Sequence, residues 1–177
     1  MNLQSLVSLA EIASALAVTL TLVVLVVSIR QNTRAQKVLA VESLTAAVAA
    51  INVPGMGNPA LGLALAKAVK DWGLASRDER VIAHFFLFSY FKLSETAWYQ
   101  WKAGTLEPEQ WAGWEKVIRM YYHSPGVRDV WWPARGYAYS PSFQKYLSES
   151  APPTDVGALS DIFDDVRRDV GPARKPA

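Results

Sequence analysis

Two histidines, His84 and His123, are the side chains best suited to proton transfer or metal ligation near neutral pH. Neither has a second histidine or a carboxylate three or four positions away, the spacing that would set two ligands on one helix face. Both are therefore read as structural. Glu95, Glu107, Glu109 and Glu115 have the chemistry for an acid and base pair, but their context reads as helix surface and turn, where carboxylates are normally solvated. The chain has no cysteine, which removes disulfides, thiolate metal sites and thiol nucleophiles together. No Gly-rich loop follows a strand pattern, so phosphate-cradling motifs are missing as well. The expectation is a protein that is not an enzyme and holds no cofactor or metal.

Two patterns point to binding instead. Ser124-Pro125-Gly126-Val127, followed by Arg128, reads as a helix start whose free N–H groups would suit an anion, or as an ordinary cap. Trp98, Tyr99 and Trp101 with Trp111 and Trp114 would stack on a ligand or partner, or pack as a core, since aromatic residues at helical spacing serve both ends. Net charge is +2, from 18 basic and 16 acidic residues. The two signs are interspersed, so nothing calls for a nucleic-acid partner.

The elements that must position these residues divide the chain chemically. Phe, Trp and Tyr are absent before Trp72, and all but Phe163 fall between Trp72 and Tyr146. The first half is instead small and aliphatic. Ile12 to Ile29 contains no charged residue and, at roughly 1.5 Å per residue, is about 27 Å long as a helix, close to the ~30 Å hydrocarbon layer of a bilayer. A buried core helix of a soluble protein is the weaker reading. The basic residues Arg30, Arg34 and Lys37 follow the apolar run rather than precede it, which argues against a cleaved signal peptide. Residues 1–29 are thus expected to be a single-pass transmembrane anchor. The same basic residues, at the membrane surface, predict an N-terminus outside and the remainder in the cytoplasm.

Glu11 is then interfacial or, if the helix sits further out, inside the bilayer. Ala13, Ala17 and Thr21 recur every fourth residue and form a small-residue stripe suited to close helix association, with another membrane protein or a second copy as the partner.

Beyond Arg30 no breaker occurs before Pro54, and Ala35, Val38, Val41, Leu44, Val48 and Ile51 keep helical spacing, so 30–53 is expected to be a stalk. Residues 54–150 read as a small aromatic-rich helical bundle. A loop from Asn52 to Pro59 leads to a helix capped by Asn58 and ending near Gly73. Ser76 and Glu79 form a capping box that opens a helix running to Gly104, with the apolar core stretch Val81 to Phe91. A further helix carries Trp111, Trp114, Ile118 and Tyr121; a short one runs from Ser124 to Trp132 and is closed by Pro133; the last is capped by Ser140-Pro141. The fold class is all-α. Residues 151–177 hold a Pro-rich linker and an amphipathic helix over 155–170.

Several short motifs recur together: Ile29-Arg30-Gln31-Asn32-Thr33-Arg34-Ala35, Trp98-Tyr99-Gln100, Ser124-Pro125-Gly126-Val127-Arg128 leading to Trp131, and Ser140-Pro141-Ser142-Phe143. In order and spacing they resemble a group of uncharacterised bacterial single-pass membrane proteins with a small helical cytoplasmic domain. The resemblance spans about residues 5 to 148. It implies a bacterial inner-membrane location and no activity. The expected role is a membrane-anchored accessory or scaffold subunit; the alternative is a regulatory module sensing a small molecule or lipid headgroup in the Trp-rich domain.

Overall fold

A computed structural model describes residues 3–154 and residue 159. Within them the chain is all-helical, in the order α1 (Leu3–Met56), α2 (Pro59–Lys70), α3 (Arg77–Lys102), α4 (Pro108–His123), a π-helical segment (Gly126–Trp131), α5 (Trp132–Arg135), a 3₁₀ turn (Gly136–Ala138) and α6 (Pro141–Glu149). It divides into two compact units, Met1–Glu42 and Ser43–Ala177, so the division falls inside the segment expected to be a stalk. The amphipathic segment expected over 155–170 lies outside the described residues apart from Leu159, which is buried.

The first unit is formed by α1 alone. Its aliphatic residues from Ile12 to Ile29 are exposed, Leu16 at 65% and Val23 at 55%. Two threonines within it turn back on the helix: Thr19 and Thr21 donate to the carbonyls of Ala15 and Ala17, each at 2.8 Å. Such bonds satisfy a hydroxyl without water. This is the one described helix long and apolar enough to cross a membrane.

In the second unit, the helix ends follow the side chains that compete for backbone groups. α1 continues two residues past Pro54, because a proline in the last turn forfeits only one N–H bond; the loop expected from Asn52 therefore begins later. Asn52 spends its side-chain amide on the Val48 carbonyl, at 2.9 Å. Asn58 caps α2 by accepting from the Ala60 N–H. α2 stops at Lys70, short of the Gly73 expected from sequence, since the Asp71 carboxylate takes the Gly73 N–H at 2.7 Å and turns the chain. The capping box at α3 forms as expected, and Glu79 also binds Lys67 at 2.6 Å, tying α3 to α2. Gly104, at φ 74°, supplies the left-handed turn after α3.

The segment after Ser124 departs from the expectation. It is π-helical, and Pro133 does not close it: the chain runs without a break into α5, of which Pro133 is the second residue. α3 is likewise a core helix on one face only. Ala83, Leu87, Tyr90 and Phe91 are buried, whereas Val81 and Phe85 are 50% and 66% exposed.

Packing is dominated by rings. Phe91, fully buried, meets Trp131, Trp132 and Tyr139 at centroid distances of 5.7, 5.0 and 6.2 Å. A second group joins Trp98 to Phe143 and Tyr146, and Phe143 links the two groups through Tyr139. Lys92 and Glu95 clasp the start of α6 to α3: Glu95 accepts from the Ser140 N–H at 2.6 Å, and the Lys92 ammonium donates to the Ala138 carbonyl while lying 4.5 Å from the centre of the Tyr139 ring. Burial pushes the Glu95 carboxyl up, but hydrogen bonds from Ser140 and Lys92 outweigh it and hold the group below its ordinary range.

Candidate functional site

The residues singled out in the sequence fall in separate places. Glu11, Ala13, Ala17 and Thr21 all lie on α1, and of these Glu11, Ala17 and Thr21 are exposed. Arg30 and Arg34 are exposed on the same helix, with Lys37 half-buried. Trp98 and Trp111 are core residues, each 4% exposed. Trp101 stacks on Trp111 at 5.0 Å and 13°, and the Lys102 ammonium covers the Trp98 ring at 4.6 Å. Trp98 and Trp111 thus spend their faces on neighbouring rings and a lysine rather than on an open ligand platform.

Arg128 is taken by Asp129, through bonds of 2.6 and 3.0 Å. The N–H groups of Val127 and Arg128 both donate to the Ser124 carbonyl, which fits the reading of this helix start as an ordinary cap rather than an anion site.

Two histidine environments were not legible beforehand. His123 Nε2 lies 3.0 Å from Ser150 Oγ, a separation compatible with a nucleophile and base. The Ser150 hydroxyl, however, donates to the Leu147 carbonyl at 2.7 Å, so the imidazole N–H serves as donor and the serine is not activated. His84 Nδ1 accepts from the Trp131 indole N–H at 3.2 Å, which puts the proton of the neutral ring on Nε2. Among the described residues no three His, Cys, Asp or Glu side chains gather in a metal-holding group.

Burial, followed by the Arg135 charge, holds His84 below its ordinary value of 6.5; burial and then Arg128 do the same for His123. A group whose pKa is lower in the folded state contributes stability that is complete above the ordinary value and is lost as pH falls through it. The unfolding midpoint is therefore expected to drop as pH is lowered from about 7.5 to about 5.5. His84→Gln, which keeps an acceptor for Trp131, should flatten that dependence. The test is a thermal melt series; a wild-type midpoint that stays level in this window refutes it. Glu79 and Glu95, both held below 4.5, act only at more acidic pH.

Among the described residues, two regions of concave surface stand out. An apolar groove of 670 Å³ lies between the end of α1 and helices α2 to α4, lined by Ile51, Leu65, Phe86 and Tyr121 among others. A neighbouring hollow of 420 Å³ shares Asn52, Phe86 and Tyr121 and adds Trp114, one of the tryptophans read as either a ligand surface or core. The second region is a cleft of 430 Å³ lined by Trp72, Arg77, Arg80, His84, Trp131 and Arg135. The sequence carried one signal for it, arginines in the first turn of α3, where the helix dipole disfavours cations.

Taken together, these features define a class: an all-helical chain with an aromatic core and one apolar helix of membrane-crossing length. No protein-family model matches the chain, and neither curated proteins nor solved structures yield a match.

Proposed function

We propose that the protein is a non-catalytic membrane-anchored accessory or scaffold subunit of a bacterial inner membrane. The observation that carries this reading is the exposed aliphatic surface of α1 from Ile12 to Ile29, which water does not tolerate over such a length and a bilayer accommodates. Arg30 and Arg34 lie on the cytoplasmic side, and the second unit, from Ser43 onward, is the cytoplasmic interaction domain. Ala13, Ala17 and Thr21 form the face through which the anchor associates with a second copy or with another membrane protein. The apolar groove beside the end of α1 offers the domain a contact surface for a helix of that same partner.

The protein is expected to stay in the membrane fraction through alkaline carbonate washing. In spheroplasts, protease added outside should leave the domain from Ser43 onward intact. Cross-linking in native membranes should give a dimer or a defined complex. Carbonate extraction would remove the anchor, external digestion would invert the topology, and a monomer without partners would remove the scaffold role.

A further inference from the structure

The cleft lined by Arg77, Arg80 and Arg135 has the composition of a binding site that the scaffold role does not use. α3 supplies Arg77, Arg80 and His84, α5 supplies Arg135, and Trp72 and Trp131 form apolar walls. No carboxylate lines the cleft. Of the acidic residues near it in sequence, Glu79 is engaged with Lys67 and Ser76, the Asp71 carboxylate with the Gly73 N–H, and Asp129 with Arg128, while Asp78, next to Arg77, is exposed and does not line the cleft. Among the described residues none of the three guanidinium groups pairs with a carboxylate. Arg80 places its Nε on the Ala75 carbonyl at 2.8 Å and Arg135 one terminal nitrogen on the Ala134 carbonyl at 3.0 Å. Both bonds fix the side chain without neutralising it.

Three like charges around one cavity repel one another, and the arrangement is relieved by an anion. Guanidinium groups match the oxygens of a phosphate through paired N–H donors, and they stack on aromatic faces as well. The tryptophans and the exposed Phe85 and Val81 at the same cleft would take up an apolar body attached to that anion. A bare inorganic ion would leave those walls unused.

We propose that this cleft binds an amphipathic phosphate-bearing ligand, its phosphoryl group held by Arg77, Arg80 and Arg135 and its apolar part lying against Trp72 and Trp131. The chemistry is shared by an anionic phospholipid and by a soluble organic phosphate.

Calorimetric titration of the full chain in uncharged maltoside micelles distinguishes these sources. The probes are dihexanoylphosphatidic acid, phenyl phosphate, inorganic phosphate and, as a zwitterionic control, dihexanoylphosphatidylcholine. At least one of the first two is expected to bind saturably, at least tenfold tighter than inorganic phosphate or the control, and more weakly as salt is raised. Preference for the phosphatidic acid assigns the site to a lipid headgroup, and preference for phenyl phosphate to a soluble ligand; either result supports the site. Arg77→Gln combined with Arg135→Gln should lower the affinity at least tenfold. Both residues are exposed, so the fold should survive, as an unchanged near-ultraviolet dichroism spectrum would show. Arg128→Gln, outside the cleft, should bind as the wild type does.

Absence of saturable binding, binding unchanged by the double variant, or inorganic phosphate binding as tightly as both amphiphiles overturns the proposal. The inference goes beyond the scaffold role and stands on the cleft alone. Binding is read in detergent, so its failure leaves the anchor reading intact.

Discussion

Gly126→Ala is expected to destabilise the helical domain by about 3 kcal/mol or more, at the upper end of what overpacking a tight interior costs. A Cβ at this position would lie 1.8 Å from the Ala68 carbonyl oxygen, 2.9 Å from its carbon and 3.0 Å from the Trp72 nitrogen. All three are backbone atoms, two in the last turn of α2 and one just after it, so no side chain can swing aside to make room. Relief requires α2 and the π-helical segment to separate, which loosens the buried cluster of Ala68, Ala75 and Ala83 against which Trp72 packs. The check is thermal unfolding of the purified protein followed by circular dichroism. Gly113→Ala is the matched control: it lies inside α4 with nothing within 4 Å of the added carbon. That substitution should be neutral or stabilising by up to about 1 kcal/mol through helix propensity. Equal midpoints for the two variants would contradict the close approach of Gly126 to α2.

Phe91→Ala is expected to cost roughly 3–5 kcal/mol, the usual loss for a fully buried aromatic side chain. Phe91 is 0% exposed, and its ring stands between Tyr90, Trp131, Trp132 and Tyr139. Removing it leaves a void bounded by large flat side chains that cannot collapse without losing their mutual ring geometry. Near-ultraviolet dichroism should weaken along with the unfolding midpoint, because Trp131 and Trp132 lose their fixed neighbour. Phe85→Ala, on the same helix at 66% exposure, should change stability by no more than about 0.5 kcal/mol. The contrast separates burial from residue type. If both variants unfold alike, α3 does not bury the face described here.

Most helix starts were legible because they are written in adjacent residues. Asn58-Pro59, Ser76 with Glu79, and Ser140-Pro141 each cap within four positions, and each forms in the structure. Helix ends were less legible where a side chain competes with the backbone, as Asp71 does at the end of α2. The π-helical stretch was not legible, since Val127 and Trp131 suit an α-helix equally well. What sets its course is the tight contact of Gly126 with Ala68, distant in sequence.

The candidate sites show the same division. The clustering of tryptophans was plain in the sequence, but whether their faces were occupied depended on Phe143 and Tyr146 closing over them. The arginine cleft needed Arg135 brought beside Arg77 and Arg80 by the π-helical segment and α5, a juxtaposition no local pattern encodes.

The long sequence separation of the ring contacts bears on the order in which the protein is made. The Tyr139 hydroxyl donates to the Phe88 carbonyl across 51 residues, and the indole of Trp131 to His84 across 47. At the usual 5–20 residues per second of translation, α3 waits roughly 3 to 10 s on the ribosome for the residues that cover it. Ile12 to Ile29 emerges well before that interval begins. If it is the anchor proposed above, its sorting to a bilayer falls while the residues that cover α3 are still to be made, so the two apolar surfaces of the nascent chain are uncovered at different times rather than together.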